Sequence, residues 1–142
     1  MDANVADLPR KRLPQERLLE LLFGGEDLPG LRLRVTQCAA LAGLDEPRLG
    51  DFVLAVHEVA CNAVEHGGGR GRLLLHHQDG ALRCRVTDDG PGFTEEVIPP
   101  DPPGLLSGEG GRGLWLTRQL TDRLEIAAGA VGAVVTLVIA LS

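Results

Sequence analysis

A carboxylate and an amide are spaced one helical turn apart within the stretch Val56–Gly67. Residues four apart on a helix share a face, so Glu58 and Asn62 are predicted to project together. Such a pair can bind a hydrated magnesium ion and take a proton from a neighbouring group. A solvent-exposed polar face would show the same pattern, so this pair alone does not establish a site.

Two later segments carry a second and a third candidate motif. Asp88 ends a predicted strand and enters a turn that contains Gly90 and Gly92. Glycines let a flat ligand approach the backbone, and an ionised carboxylate accepts hydrogen bonds from an exocyclic amine. The glycine-rich Gly108–Leu114 segment opens a predicted helix, whose first N–H groups favour a phosphate. Each segment alone is equally typical of an ordinary turn or a flexible connection.

In this order, the three motifs resemble the nucleotide-binding boxes of the histidine-kinase-like ATPases, the superfamily with the Bergerat ATP-binding fold. The motifs are Glu58-x-x-x-Asn62, Asp88-x-Gly90-x-Gly92 and Gly110-Gly111-Arg112-Gly113-Leu114. Within that superfamily, Asn62-Ala63-x-x-His66-Gly67 and the Gly-Gly-Arg-Gly-Leu run look like the bacterial anti-sigma-factor serine/threonine kinases. The likeness extends from about Arg17 to Leu141, which is nearly the whole chain.

The resemblance implies a role for each matching residue. Glu58 would be the catalytic base that takes a proton from the attacking hydroxyl, and Asn62 would ligate Mg²⁺ bound to the phosphates of ATP. Asp88 would hold the amino group of adenine. The remaining positions implied to bind the cofactor are His66, Gly90, Gly92, Gly110, Gly111, Arg112, Gly113 and Leu114. Phosphoryl transfer requires positioning, charge neutralisation and an oriented nucleophile, and these groups can supply all three.

The function implied by the resemblance is an ATP-binding anti-sigma regulatory protein. Such a protein phosphorylates a serine or threonine of an antagonist (anti-anti-sigma) protein and sequesters a sigma factor. The sequence leaves open a binding module that uses ATP only to set its conformation, and it also leaves a homodimer open. The catalytic fragment of a sensor histidine kinase fits less well, because Arg112 is atypical of that group and no dimerisation helices with a phospho-acceptor histidine are recognised upstream.

Composition restricts the partners and the compartment. The chain has 142 residues and a formal net charge of −6, which argues against a nucleic-acid partner held by its phosphates. Three separated cysteines, Cys38, Cys61 and Cys84, are interpreted as small buried hydrophobes in a reducing compartment. Neither a secretory signal nor an uninterrupted apolar span is recognised, so no membrane partner is expected. We therefore expect the chain in the bacterial cytoplasm.

Hydrophobic periodicity predicts the elements that position the motifs. Residues 1–15 are predicted to be a flexible tail and residues 16–142 the ATPase domain. Arg17–Phe23 fits either a strand or a short helix. The later predicted helices are Leu28–Leu41, a central helix from Asp45 or Glu46 to Gly67, and Gly111–Thr121. The later predicted strands are Arg72–Gln78, Ala81–Thr87, Arg123–Ala127 and Ala133–Leu141. The resemblance implies an α+β two-layer sandwich, in which helices cover one face of a mostly antiparallel mixed sheet.

Further expectations concern packing and the loops. The buried stripe of the central helix is predicted to contain Leu49, Val53, Val56, Ala60 and Ala63. Asp79-Gly80 is the dipeptide typical of a tight hairpin turn. Trp115 lies off the apolar line of its helix, so it is expected against a lid or a partner. The proline-rich Phe93–Gly108 segment is expected to be a functional lid or a disordered segment. His57 precedes Glu58, but the His-Glu-x-x-His motif of zinc proteases is excluded because Cys61 occupies the second histidine position.

Overall fold

The computed structural model describes residues 15–90, 111–129 and 132–141, which form five strands and three α-helices. The strands are β1 Glu16–Gly24, β2 Arg70–Gln78, β3 Ala81–Asp88, β4 Arg123–Gly129 and β5 Gly132–Ala140. The helices are α1 Leu28–Leu41, α2 Arg48–His66 and α3 Gly111–Leu120, and a single 3₁₀ turn at Gly25–Asp27 leads into α1. The Arg17–Phe23 stretch is therefore a strand and not a short helix. The predicted tail and the proline-rich Phe93–Gly108 segment lie outside the described residues, apart from Gln15.

The strands form one sheet in the order β1-β2-β3-β5-β4, and every described pair of neighbours is antiparallel. This confirms the predicted α+β class, although no parallel pair occurs among the described strands. The turn between β2 and β3 contains Asp79 with φ 56° and Gly80 with φ 74°. Two successive positive φ angles suit the right-handed twist of a hairpin, which explains the Asp-Gly dipeptide.

The hydrophobic core lies between one face of the sheet and the helices. Along β3, Leu82, Cys84, Val86 and Asp88 are buried, whereas the alternating residues are more exposed. Strand β5 is apolar on both faces and lies between β3 and β4, as its sequence predicted. Trp115 is half-buried and packs against the edge of the core. Within the described ranges, no helix combines the length and apolar character needed to cross a bilayer.

The buried stripe of α2 is rotated from its predicted position. Its buried residues are Phe52, Ala55, Val56, Val59, Ala60 and Ala63. Leu49 and Val53, both predicted in the core, are only half-buried. The rotation occurs because α3 packs along this flank of α2, where the Thr117 hydroxyl lies 3.5 Å from the Ala55 carbonyl oxygen. Thr117 is fully buried and donates to the Gly113 carbonyl at 2.9 Å, so its hydroxyl is satisfied in the interface.

The end of α2 lies at the predicted glycines, but its start lies two residues after Glu46, with Pro47 as the N-cap and not within the first turn. The helix begins at Arg48, and the carboxylate of Glu46 accepts a hydrogen bond from the Gly50 N–H at 2.8 Å. This bond satisfies one of the unpaired N–H groups of the first turn. At the other end, Gly68 and Gly69 adopt φ angles of 91° and 89°, which side chains disfavour.

An acidic residue attaches the start of α2 to the end of the sheet. The Asp122 carboxylate accepts a hydrogen bond from the Ala140 N–H at 2.7 Å and another from the Arg48 guanidinium at 2.8 Å. Arg48 also donates to the Ala140 carbonyl at 2.9 Å. The Ala140 N–H and then Arg48 lower the pKa of the Asp122 carboxyl below its usual range.

The three cysteines occupy different environments. Cys84 is fully buried in the core, and this burial raises the pKa of its thiol to about 12. Cys38 and Cys61 are only half-buried, so the prediction that all three are buried hydrophobes is wrong for these two. Cys38 packs against the edge of the core, whereas Cys61 lies beside His57 on α2.

Candidate functional site

The first and third motifs meet where α2 packs against α3. Glu58 and Asn62 are both half-buried and lie one turn apart on α2. Opposite them, Gly113 in the first turns of α3 lies so close that an added Cβ would be 2.8 Å from Glu58 Oε1. Only a residue without a side chain allows this approach while Glu58 keeps its position. The structure therefore places a carboxylate beside the N-terminal turns of a helix.

The second motif contributes a buried carboxylate at the end of β3. Asp88 is only 7% exposed, and its Oδ1 atom accepts from the Gly90 N–H at 2.9 Å and the Ala133 N–H at 3.3 Å. Burying a carboxylate requires such donors. Within the described part of the chain, no donor reaches Oδ2. One oxygen is thus held in place by the backbone, and the other can accept a hydrogen bond from a ligand.

Glycines enclose Asp88 from three segments that are distant in sequence. A Cβ on Gly67 would lie 2.6 Å from Asp88 Oδ2, and a Cβ on Gly132 would lie 2.8 Å from Asp88 Oδ1. A Cβ on Gly90 would lie 2.8 Å from the His66 carbonyl oxygen. The Asp89 N–H also donates to the Gly67 carbonyl at 3.2 Å. The end of α2, the end of β3 and the start of β5 therefore converge on one carboxylate.

Sequence reasoning missed part of this arrangement. It interpreted Gly67 as a helix end and Gly132 as a turn residue, although both also pack against Asp88. For Gly67 a signal existed, because it belongs to the motif that begins at Asn62. The hydrogen bond from Ala133 comes from the backbone, so no residue type could have indicated it.

The other predicted site residues are placed as follows. His66 is the exposed last residue of α2, with its imidazole 3.9 Å from the Glu65 carboxylate. Gly111 and Arg112 form the first turn of α3. Leu114 is 3% exposed, and its side chain packs in the core, where it anchors α3. Gly92 and Gly110 lie outside the described residues.

His57 is not part of this group, although it is adjacent to Glu58 in sequence. Its Nε2 atom lies 3.3 Å from the Sγ atom of Cys61, one turn further along α2. Burial, followed by the nearby Glu58 and Glu65, raises the pKa of the Cys61 thiol. The pair is therefore a local contact on α2 between an imidazole and a protonated thiol.

A cleft of about 690 Å³ lies at the same end of the sheet. Its walls include Leu22, Leu74, Arg85 and Thr87, which lie on the face of the sheet opposite to the helices. Neither Glu58 nor Asn62 nor any residue of α3 lines it. Asp88 and Asp89 of the second motif also line this cleft, so it adjoins the site at the end of β3, whereas Glu58, Asn62 and Gly113 lie on the helix side of the sheet.

Comparison with known proteins is consistent with this arrangement. A family model described as a histidine kinase-like ATPase domain matches residues 25–139. The signal transduction histidine-protein kinase AfsQ2 of Streptomyces coelicolor is 39% identical over 54 residues, which are 38% of this chain and 10% of that protein. The structure of the RsbU and RsbW domains of Rv1364c from Mycobacterium tuberculosis matches with a TM-score of 0.64 at 23% identity, over 89% of this chain and 32% of that one. The chain spans about a tenth of the first protein and a third of the second chain, and the second likeness is one of fold.

Proposed function

The chain belongs to the histidine kinase-like ATPase domain family, and on that premise we propose that it is an anti-sigma regulatory kinase. In this proposal it uses ATP and Mg²⁺ to phosphorylate a serine or threonine of an antagonist protein, and it sequesters a sigma factor. The observation that carries the proposal is the contact of Glu58 with Gly113. In this proposal the N-terminal turns of α3, which lie beside this candidate base, stabilise the phosphates of a nucleotide.

The residues present fit ATP, which membership of an ATPase family implies. Asp88 Oδ2 has no donor among the described residues, so it can accept from the amino group of adenine. The N-terminal turns of α3, which include Gly111 and Gly113, offer unpaired N–H groups to phosphate oxygens. Asn62 provides an amide oxygen, a ligand type that magnesium accepts in proteins. When bound, ATP supplies the phosphoryl group that is transferred.

The chain's own residues orient the substrate and move a proton. Glu58 accepts the proton of the attacking serine or threonine hydroxyl at its carboxylate, and the adjacent Gly113 leaves room for that carboxylate. The interface between α2 and α3, held by Leu114 and Thr117, fixes the distance between the base and the phosphate-binding turn. Such positioning accounts for most of the catalysis in phosphoryl transfer.

The protein partners are proposed from the motifs and the fold. The Asn62-to-Gly67 and Gly110-to-Leu114 segments look like those of anti-sigma-factor kinases. The fold match to a structure that contains an RsbW domain supports a regulatory protein of this kind. The bacterial cytoplasm is the compartment in which such partners occur, and it belongs to the same proposal.

Glu58→Gln tests the catalytic assignment. The change is nearly isosteric, so we expect the fold and the ATP affinity to be retained while phosphotransfer falls about 10²–10⁴-fold. Labelled ATP, magnesium and a candidate antagonist protein from the same genome are incubated with each variant, and acid-stable label on serine or threonine is counted. Glu65→Gln, an exposed carboxylate on the same helix, is the matched control and should transfer phosphate normally.

Two outcomes would replace this proposal. If the wild-type chain binds ATP and its sigma factor but never labels the antagonist, it is a module that uses ATP only to set its conformation. If the label is acid-labile and resides on a histidine of a partner domain, the chain is the catalytic part of a sensor kinase. The 54-residue match to AfsQ2 is the observation that favours this last alternative.

A further inference from the structure

The face of the sheet opposite to the helices, here called the open face, displays an ordered pattern of side chains. Directly paired residues of antiparallel strands share a face, so the register identifies its rows. The first row contains Leu22, Arg72, Thr87, Val134 and Ala127. The second row contains Glu20, Leu74, Arg85, Thr136 and Glu125. The third row contains Arg17, His76, Arg83, Val138 and Arg123.

The open face is basic, although the whole chain carries a net charge of −6. Its three rows contain five arginines and only two glutamates. Charge of the opposite sign to the rest of the molecule is concentrated on one surface that no described helix covers. Such an asymmetry steers and orients an anionic partner.

Ion pairs within the face leave part of this charge uncompensated. Glu20 pairs with both Arg17 and Arg72, and Arg123 pairs with Glu125. Arg83 and Arg85, on the central strand β3, have no acidic partner within the described residues. These two arginines therefore present charge-assisted donors to whatever contacts the face.

The same excess of positive charge surrounds the imidazole of His76. The pKa of its imidazole is lowered first by burial and then by the neighbouring cations Arg85, Arg17 and Arg83. Glu20 acts in the opposite direction but does not offset them. Positive charge is thus dense enough at the centre of the open face to disfavour a further proton.

Apolar surface adjoins these arginines. Leu22 is 80% exposed, and Leu74 beside it is half-buried. Both line the cleft of about 690 Å³, together with Arg72, Arg85 and Thr87 and with the acidic residues Asp27, Asp88 and Asp89. Leu74 lies directly across from Arg85, and Leu22 lies across from Arg72, whose guanidinium pairs with Glu20. An apolar contact surrounded by polar groups is typical of a protein-binding surface.

We propose that the open face binds an acidic segment of a partner protein, with carboxylates paired to Arg83 and Arg85 and an apolar side chain against Leu22. A nucleic acid fits less well, because the second row ends in Glu20 on one side and in Glu125 on the other, and because the chain as a whole is anionic. A second copy of the chain fits less well, because two identical basic faces repel each other. Arg83, Arg85 and Leu22 are not part of the three motifs, although the cleft beside Leu22 also reaches Asp88, so the inference goes beyond the proposed kinase activity.

Fluorescence anisotropy with defined probes tests this proposal. The probes are a short labelled peptide repeating Glu-Glu-Leu, the matched Gln-Gln-Leu peptide and a labelled DNA duplex. We expect the wild-type chain to bind the acidic peptide best at low salt and to lose at least about tenfold in affinity in the Arg83→Glu/Arg85→Glu variant. Arg34→Glu/Arg118→Glu makes the same charge change at exposed positions on helices and should bind like the wild type. Thermal unfolding of both variants checks that each is folded.

Amide chemical shifts of the labelled chain, with and without the peptide, locate the contact. We expect the shifts to change along the three rows of the open face and not along α1 or α3. Unchanged ATP affinity in the Arg83→Glu/Arg85→Glu variant would show that this surface is distinct from the nucleotide site. If the proposed nucleotide site is wrong, only the ATP measurement fails, and peptide binding remains.

Four results would overturn the proposal. The first is no binding of the acidic peptide by the wild-type chain. The second is an equal loss in both charge-reversed variants, which would indicate nonspecific attraction. The third is tighter binding of the duplex than of the peptide through the same arginines. The fourth is a wild-type dimer that Arg83→Glu/Arg85→Glu converts to a monomer in sedimentation, which would make the face a contact between copies.

Discussion

The Oε1 atom of Glu58 lies against the Cα atom of Gly113, so closely that a methyl group there would come within 2.8 Å of it. This contact joins the helix that carries the candidate base to the helix that begins at the glycine-rich motif. The missing side chain at position 113 therefore has a steric purpose. Conformational freedom is not needed there, because the residue lies within a regular helix.

Gly113→Ala should separate activity from stability. Alanine favours a helix by about 1 kcal/mol over glycine, so the free energy of unfolding should be unchanged or slightly higher. The Glu58 carboxylate must swing away from the new methyl group, and we expect phosphotransfer to fall at least about tenfold. Gly30→Ala in α1, where an added Cβ meets nothing within 4 Å, is the control and should leave transfer unchanged. Full activity in Gly113→Ala would show that the position of Glu58 is unimportant.

Asp88→Asn should weaken ATP binding without unfolding the chain. Asparagine can still accept from the N–H groups of Gly90 and Ala133, but its other atom becomes a donor and repels the amino group of adenine. Losing a hydrogen bond to a charged acceptor predicts about a 10–100-fold lower affinity by calorimetry. The exposed neighbour provides the control variant Asp89→Asn. Equal affinity in Asp88→Asn and the wild type would remove the adenine assignment.

Gly132→Ala should be strongly destabilising. Gly132 has φ 105°. A Cβ added there would collide with the backbone carbonyl of Asp88 and would lie 2.8 Å from the side-chain Oδ1 of the same residue. Backbone strain and overpacking together predict a loss of about 3 kcal/mol or more in the free energy of unfolding by denaturant titration. Gly69→Ala isolates the strain, because Gly69 has φ 89° but open space around it, and should cost only about 1–2 kcal/mol. Equal losses in the two variants would mean that packing against Asp88 is unimportant.

Asp122 should contribute stability that depends on pH. Its pKa is lowered in the folded state by the Ala140 N–H and Arg48, so its contribution is complete above the unfolded pKa of about 3.9. The contribution is lost as the pH falls through the lower folded pKa. Because Asp122 and Arg48 are partly exposed, we expect Asp122→Asn to cost at most about 1 kcal/mol at pH ~7 and nothing at low pH. Denaturant titrations across that range measure it, and a cost that persists in acid would contradict the charge-based account.

Cys84 should resist thiol reagents in the folded protein. Its pKa of about 12 and its full burial leave almost no accessible thiolate at neutral pH. Alkylation followed by peptide mass spectrometry should label the half-buried Cys38 and Cys61 before Cys84. All three should react at similar rates in denaturant, which serves as the control. Early labelling of Cys84 in native buffer would show that β3 opens locally.

Local signals in the sequence predicted most of the secondary structure. Helix α1 has the predicted ends, Leu28 and Leu41, since a glycine follows it and its apolar residues keep one period. The Asp79-Gly80 hairpin fixes the register of β2 and β3. The described residues of the three motifs also fall on the expected elements, because their spacing already distinguishes helix from strand end.

The features that the sequence did not predict depend on contacts between segments that are distant in the chain. A helical wheel could not show that α3 would cover one flank of α2, so the burial of Phe52 and Val59 was missed. The surroundings of Asp88 depend on a backbone donor at Ala133, which any residue type could provide. Likewise, the alignment of Arg83 with Arg17 across β2 appears only once strand register is known.

The hydrogen bond between Asp88 and Ala133 has a consequence for biosynthesis. The two residues are 45 positions apart, and Ala133 belongs to β5, the last of the described strands. A ribosome therefore releases all three motifs before it releases the backbone group that holds the Asp88 carboxylate. A nascent chain that stops ahead of β5 carries the complete set of motif residues but lacks this support, so the proposed nucleotide recognition requires that β5 has also been translated.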